Sequence, residues 1–108
     1  MSAFEIYLYY VSWGTDGKLR PVLFFSQTGQ NVSIFTITTK YETKSDKIQA
    51  NFFKIVDWAQ AGLSKQSYID AKSPNEVPVS LLKKPIGKLT ERDRTQFLLF
   101  LSELSKKD

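Results

Sequence analysis

Three segments in the first forty residues favour β-strands and are separated by turns that contain glycine. Residues 4–12, 20–26 and 32–39 consist mainly of β-branched, aromatic and aliphatic side chains. Residues 13–18 and 27–31, which lie between them, contain glycine together with Asp or Asn. Short strand-forming runs joined by short turns are typical of an antiparallel sheet. The first half of the chain therefore predicts a β domain.

The second and third segments also predict where individual side chains lie. Pro21 is expected at the start of its strand, where a missing backbone N–H is tolerated best. Side chains of the third segment should alternate between the two faces of the sheet. One face is predicted to carry Ile34, Thr36 and Thr38, and the other Phe35, Ile37 and Thr39.

The middle of the chain has weaker patterns. Residues 40–51 are polar and predict a mobile connection. Two further short strands are expected at residues 52–56 and 67–71, and a turn at residues 73–76. The apolar stretch at residues 81–86 is interrupted by proline and carries no clear prediction.

Between the two short strands, residues 57–63 predict a single helical turn. Asp57 is expected to cap this turn and Gly62 to end it. Trp58 is expected to pack the turn against the rest of the domain.

The clearest helix follows Thr90. Thr90 and Asp93 form a capping pattern, and Glu91 and Asp93 are interpreted as solvated acids of the first turn. Lys106 and Lys107 lie at the end that favours cations. Apolar side chains recur at helical spacing to form one stripe: Phe97, Leu98, Leu99, Phe100, Leu101 and Leu104. The 108 residues thus predict a single domain, residues 1–108, a compact antiparallel β-barrel with a C-terminal helix.

The composition excludes several kinds of chemistry. The chain contains no cysteine and no histidine, which excludes a thiol nucleophile, an imidazole base and a Cys- or His-based metal site. The five glycines are scattered, so no glycine-rich phosphate loop is present. No metal site or cofactor is predicted. Any catalysis must use Asp, Glu, Lys, Arg, Tyr, Ser or Thr.

Charge and hydropathy give a weak indication of location and partner. The 15 basic and 11 acidic residues leave a formal charge of +4, which suits an anionic partner but is also ordinary for a soluble protein. The N-terminal residues do not resemble an export signal, and no apolar run approaches the length of a membrane span. A cytoplasmic protein without a membrane partner is expected.

Several polar side chains lie close to the predicted strand ends. Arg20 begins the second strand, Thr38 and Thr39 end the third, Lys40 follows, and Trp13 lies in the first loop. Strand ends and loops of a small barrel form one rim, and such a rim would suit an anionic ligand that carries a base. Arginine offers a planar fork of donors to a phosphate, and Trp13 would stack on a base.

The sequence also resembles the MazF/PemK family of bacterial toxin endoribonucleases. Four segments match in order along nearly the whole chain: Lys18-Leu19-Arg20-Pro21-Val22-Leu23-Phe24-Phe25-Ser26, Phe35-Thr36-Ile37-Thr38-Thr39, Ala61-Gly62-Leu63-Ser64-Lys65-Gln66-Ser67 and Ile86-Gly87-Lys88-Leu89-Thr90-Glu91-Arg92-Asp93. Each motif is short, and their common order and spacing carry the resemblance. The departures include Gln66, where proline is common in the family.

The resemblance implies an SH3-like barrel, a homodimer, a cognate antitoxin and metal-independent cleavage of single-stranded messenger RNA. It implies that Arg20 and Thr38 are the catalytic pair. If the ligand is RNA, the rim side chains around them are expected to contact it: Trp13, Lys18, Thr39 and Lys40. Some members carry a carboxylate in the first loop as a candidate general base, and Asp16 is the nearest acid here.

This implied chemistry agrees with a chain that lacks histidine. Attack by the adjacent 2′-hydroxyl needs no protein nucleophile, only a scissile phosphate held in line and stabilised. The expected products are a 2′,3′-cyclic phosphate and a 5′-hydroxyl.

Three other functions stay open on the sequence. One is a degenerate barrel that only binds RNA or an antitoxin, and another is an adaptor barrel in which the pairing of Arg20 with Thr38 is a coincidence. The third is a gyrase-poisoning toxin of the same fold. Its Trp-Gly-Ile ending is missing from residues 104–108.

Overall fold

The structure, a computed structural model, describes residues 2–106, except for the side chains of residues 11–13. Its elements in chain order are β1 (Glu5–Trp13), β2 (Asp16–Thr28), β3 (Asn31–Thr38), α1 (Asp46–Gln49), β4 (Phe52–Lys54), β5 (Tyr68–Asp70), β6 (Asn75–Pro78), a 3-10 turn (Val79–Leu81), β7 (Leu82–Lys88) and α2 (Glu91–Ser105). The predicted mainly β fold with a C-terminal helix is confirmed.

The seven strands form one antiparallel sheet in which β3 has the most neighbours. The order is β4-β5-β3-β2-β1-β7, and β6 also pairs with β3. Along one edge β3 pairs with β2, and along the other its first half pairs with β6 and its last two residues with β5. Strand β3 therefore holds the sheet together.

Apolar side chains are buried on both faces of the sheet. On one face the ring of Phe97 from α2 is fully buried, with the Phe35 and Phe53 rings 5.4 Å and 5.3 Å away in edge-to-face contact. The other face carries a smaller cluster that includes Val22 and Ile34. The predicted alternation along the third strand is confirmed, because Ile34 and Phe35 belong to opposite clusters.

A buried carboxylate joins helix α2 to the turn that follows β4. Thr90 caps the helix as predicted, its Oγ1 accepting a bond from the Asp93 N–H at 3.3 Å. The Asp93 side chain is only 1% exposed, and its two oxygens accept the Val56 and Asp57 N–H groups at 3.2 Å and 2.7 Å. The interpretation of Asp93 as a solvated acid is therefore wrong. Its carboxylate satisfies two backbone donors of a neighbouring turn.

Two glycines of the family-like segments are needed for close backbone packing. Gly62 has a φ of +92°, and a Cβ on it would overlap the Ile86 carbonyl oxygen. A Cβ on Gly87 would overlap the Ala61 carbonyl oxygen in the same way. The Gly-Leu and Ile-Gly motifs thus face each other, and their glycines allow β7 to approach the turn at residues 56–62.

The helical turn predicted at residues 57–63 is a series of tight turns. The Ala61 N–H donates to the Asp57 carbonyl at 3.1 Å, as in a helix, but the pattern does not continue. The Asp57 carboxylate does not cap this turn. It accepts the Thr90 hydroxyl at 2.7 Å. Trp58 packs against the main cluster, as expected.

Other predictions are corrected by tertiary pairing. Strand β2 begins at Asp16, so Pro21 lies inside it and not at its start. Residues 75–76, expected in a turn, begin β6, because hydrogen bonding to β3 overrides their weak strand propensity. The polar stretch at residues 40–51 contains α1, which Ser45 caps.

The apolar stripe of α2 is narrower than predicted. Phe97 is buried and Phe100, Leu101 and Leu104 pack against the main cluster, whereas Leu98 and Leu99 are 46% and 56% exposed. Consecutive residues of a helix point in different directions around its axis. Because only one side of α2 contacts the sheet, they cannot all be buried. Lys107 lies outside the described residues. Between residues 2 and 106, no helix is long and apolar enough to cross a membrane.

We expect Asp93→Ala to lower the free energy of unfolding by about 2–4 kcal/mol, because it leaves two part-buried N–H groups without their acceptor. Urea denaturation measures the change. Glu91→Ala is the matched control, since Glu91 is an exposed acid in the same helical turn. A loss no greater than that of Glu91→Ala would contradict the anchoring role.

Candidate nucleic-acid cleft

Strands β2 and β3 separate at one end of their ladder. The last pair on that side is Val22 with Thr36. Beyond it β3 turns to β5, and Ile37 and Thr38 pair with Ile69 and Tyr68. Pro21, the next residue of β2, has no N–H to donate, so the separation leaves no ladder donor unpaired at this position. A cleft opens between the two strands.

The register of the two strands places Arg20 and Thr38 on opposite sides of this cleft. Each lies two residues beyond the Val22–Thr36 pair on its own strand, so both face the same side of the sheet. Both are half-buried and line one cleft of about 220 Å³. We call it the Arg20 cleft, lined by Lys18, Leu19, Arg20, Pro21, Ile37, Thr38, Thr39, Lys40 and Ser67.

The Arg20 cleft is strongly cationic. Three of its lining residues are Lys18, Arg20 and Lys40, and none of the lining residues is acidic. Among the side chains that the structure describes, no carboxylate forms an ion pair with Arg20. Its guanidinium can therefore give its fork of N–H donors to an incoming anion.

The Thr38 hydroxyl accepts one backbone hydrogen bond and keeps its own proton available to donate. Its Oγ1 accepts the backbone N–H of Lys40 at 3.1 Å, which fixes the turn that follows β3. A hydroxyl that already accepts one bond still has its own proton to donate. Because threonine is β-branched, its rotamer is stiff, and the O–H is held close to the cleft.

The structure brings most of the sequence-predicted residues together. Arg20, Thr38, Lys18, Thr39 and Lys40 all line the Arg20 cleft. The structure thus places these five predicted residues at one site, and their roles stay predictions.

The backbones of Trp13 and Asp16 pair with each other at the β1–β2 turn. Trp13, expected in a loop, is the last residue of β1 and pairs with Asp16, while its side chain is outside the described part of the chain. Asp16 starts β2, four residues before Arg20, which corresponds to about 13 Å along an extended strand. Asp16 is not among the residues that line the Arg20 cleft. Its role as a base stays a prediction.

A second cavity meets the Arg20 cleft at Arg20 itself. It measures about 320 Å³, and its wall includes Tyr9, Arg20, Thr36 and Glu76. Tyr9 is the direct partner of Arg20 in the pairing of β1 with β2. The Glu76 carboxylate itself faces Asn31, whose side-chain amide donates to it at 3.5 Å, because Glu76 pairs with Ser33 and therefore lies on the opposite face of the sheet from Ile34.

The architecture is similar to that of solved toxins. The Mycobacterium tuberculosis toxin MazF-mt6 aligns with a TM-score of 0.70 over 92% of this chain and 93% of that chain, at 21% sequence identity. A structure described as an Mtb toxin aligns with a TM-score of 0.63 over 78% of this chain and 90% of that chain, at 22% identity. No family model matches the sequence, and no curated protein matches it significantly. The chain therefore has a MazF-like fold, as the sequence resemblance implied.

We expect inorganic phosphate to bind the Arg20 cleft weakly and to shift the backbone amide NMR signals of Thr38 and Lys40. Arg20→Ala should weaken this binding several-fold, because the bidentate donor is lost. Arg94→Ala is the control, since it removes the same charge from α2, outside the cleft lining. Equal binding by both variants would show that phosphate does not use Arg20.

Proposed function

We propose that this protein is the toxin of a type II toxin–antitoxin pair and acts as an endoribonuclease on single-stranded messenger RNA without a metal. The observation that carries this proposal is the Arg20 cleft, in which Arg20 and Thr38 line a cationic wall that contains no carboxylate. The MazF-like fold supports it, because the two similar structures are named as toxins.

The chemistry uses the RNA as its own nucleophile. The 2′-oxygen forms a bond to the adjacent phosphorus, the bond from phosphorus to the 5′-oxygen breaks, and a proton moves from the 2′-hydroxyl to a base. The leaving 5′-oxygen takes up a proton, so the products are a 2′,3′-cyclic phosphate and a 5′-hydroxyl. The protein has to hold the phosphate in line with the attacking oxygen and stabilise the extra negative charge.

The cleft residues divide this work between them. Arg20 donates to the non-bridging oxygens, on which charge develops in the pentacoordinate state. Thr38 donates its O–H to a phosphate oxygen while the Lys40 N–H holds the hydroxyl in place. Lys18, Lys40 and Thr39 bind neighbouring parts of the RNA backbone, and Trp13 is proposed to contact a base.

Two carboxylates are candidates for the base that accepts the 2′-proton. Asp16 lies at the start of β2, far along the strand from Arg20, whereas Glu76 lines the cavity that Arg20 borders. A general base must come within hydrogen-bond reach of the proton it removes. The Glu76 carboxylate faces Asn31, on the opposite face of the sheet from Arg20, so Asp16 stays the first candidate, as the family resemblance implies.

The proposed function implies further partners. A cytoplasmic RNA-cleaving toxin needs a cognate antitoxin, which we propose covers the Arg20 cleft. We also propose a homodimer whose interface includes the outer side of α2, where Leu98 and Leu99 are 46% and 56% exposed.

We expect wild-type protein to cut a long mixed-sequence RNA at discrete sites in excess EDTA and Arg20→Ala to lower the rate at least a hundredfold. Arg20→Ala removes a donor that stabilises the pentacoordinate phosphate. Loss of one such donor typically lowers the catalytic rate by this factor. Primer extension maps the cuts. Arg20→Lys should recover little, because an ammonium group lacks the planar fork.

Arg94→Ala is the matched control and should cut at the wild-type rate. Circular dichroism confirms that each variant is folded. A folded Arg20→Ala variant that cuts normally would remove Arg20 from the mechanism. RNA that stays intact with folded wild-type protein would contradict cleavage and leave a barrel that only binds.

We expect Asp16→Asn to slow cleavage by about tenfold to a hundredfold and Glu76→Gln, whose carboxylate faces away from Arg20, to leave it within about twofold. Both substitutions remove one negative charge from a β-strand, so each serves as the control for the other. Single-turnover rates on one mapped cut site separate the chemical step from binding. The reverse order of effects would assign the base to Glu76.

A further inference from the structure

A pair of stacked tyrosines lies beside the Arg20 cleft. The rings of Tyr41 and Tyr68 have centroids 4.3 Å apart and planes within 10° of parallel. Both side chains are half-buried, and neither belongs to a buried cluster of the sheet. They form one wall of a depression lined by Thr39, Lys40, Tyr41, Glu42, Thr43, Gln66 and Tyr68.

This depression is continuous with the Arg20 cleft. Thr39 and Lys40 line both. Tyr68 is the direct β5 partner of Thr38, so the stacked pair stands one strand away from the hydroxyl proposed to hold the phosphate. A polynucleotide with a phosphate at Thr38 would therefore place a neighbouring nucleotide over the depression.

The surrounding contacts hold the stack in place before any ligand binds. The Gln49 side-chain amide of α1 donates to the Tyr41 carbonyl at 2.9 Å, and the Phe52 ring lies 6.2 Å from that of Tyr41. The Gln66 amide donates to the Ile55 and Ser67 carbonyls at 2.8 Å and 3.1 Å. Preorganised side chains lose little entropy when a ligand binds.

The lining indicates a base and not a second phosphate. An aromatic face provides a stacking surface that every nucleobase can use. Glu42 brings a carboxylate to the wall, which disfavours a phosphate but can accept a hydrogen bond from an exocyclic amino group. Lys40, at the border of the two depressions, is placed to neutralise the backbone phosphate between them.

We infer that Tyr41 and Tyr68 form a nucleobase-stacking subsite for the nucleotide next to the scissile phosphate. The inference rests on the proposed function, because the adjoining phosphate is the one held by Arg20 and Thr38. The subsite extends the Tyr41–Tyr68 stack by one base. It favours single-stranded RNA, because a base inside a duplex is not free to leave its own stack.

The test compares two probes that differ only in their bases. One is a mixed-sequence 12-nucleotide RNA with 2′-O-methyl groups, which cannot be cleaved by its own 2′-oxygen. The other is the same backbone without bases. Fluorescence anisotropy measures the affinity of each probe for wild-type protein and for Tyr68→Ala, Tyr41→Ala, Tyr68→Phe and Tyr10→Ala.

We expect Tyr68→Ala and Tyr41→Ala to weaken binding of the base-bearing probe by about tenfold and to leave binding of the abasic probe unchanged. Tyr68→Phe keeps an aromatic face and should bind within about twofold of wild type. Tyr10 is an exposed tyrosine of β1 and serves as the control that should change neither affinity.

Two results would overturn the subsite. Unchanged affinity in both alanine variants would show that the rings do not contact a base, and an equal loss for both probes would show that they only support the cleft. If wild-type protein cuts RNA and both alanine variants bind the base-bearing probe as tightly as wild type, the subsite is overturned and the proposed function is not. Wild-type protein that binds neither probe and cuts no RNA would overturn the proposed function together with it.

Discussion

The divided pairing of β3 is the constraint on which the rest of the structure depends. Its first half is hydrogen-bonded between β2 and β6, and its last two residues pair with β5 after β2 has separated from it. Alternating side chains of this one strand enter both buried clusters. The same change of partner opens the Arg20 cleft, because the strand ends that carry Arg20 and Thr38 remain near each other without a ladder between them. The packing of the two buried clusters and the opening of the Arg20 cleft thus both depend on how β3 is paired.

The family-like segments serve two different purposes in the molecule. Those around Arg20 and Thr38 line the cleft, whereas Gly62 and Gly87 allow two backbone segments to meet at a distance that no side chain would permit. Asp93 belongs to the second group, since its buried carboxylate ties α2 to the turn that contains Gly62. Part of the resemblance therefore reflects how α2, β7 and the turn at residues 56–62 pack together, and part reflects the residues that line the candidate site.

Much of the fold could be predicted from periodicity and propensity. The three N-terminal strands, the Thr90 cap and the alternation of Ile34 and Phe35 follow from local rules that tertiary structure did not override. Strand β6 could not be predicted in this way, because Asn75 and Glu76 are held by pairing with β3 and not by their own propensity. The Tyr41–Tyr68 stack joins residues from two elements, and no local pattern predicts such a contact.

In the proposed mechanism the RNA supplies its own nucleophile, and Arg20 and Thr38 hold the phosphate. The most direct test is an RNA carrying a single 2′-deoxy substitution at a mapped cut site. This mechanism predicts that cleavage at that phosphate disappears while the other sites in the same molecule are cut at the normal rate. Continued cleavage at the substituted position would contradict it, because the attacking oxygen would then have to come from water or from the protein.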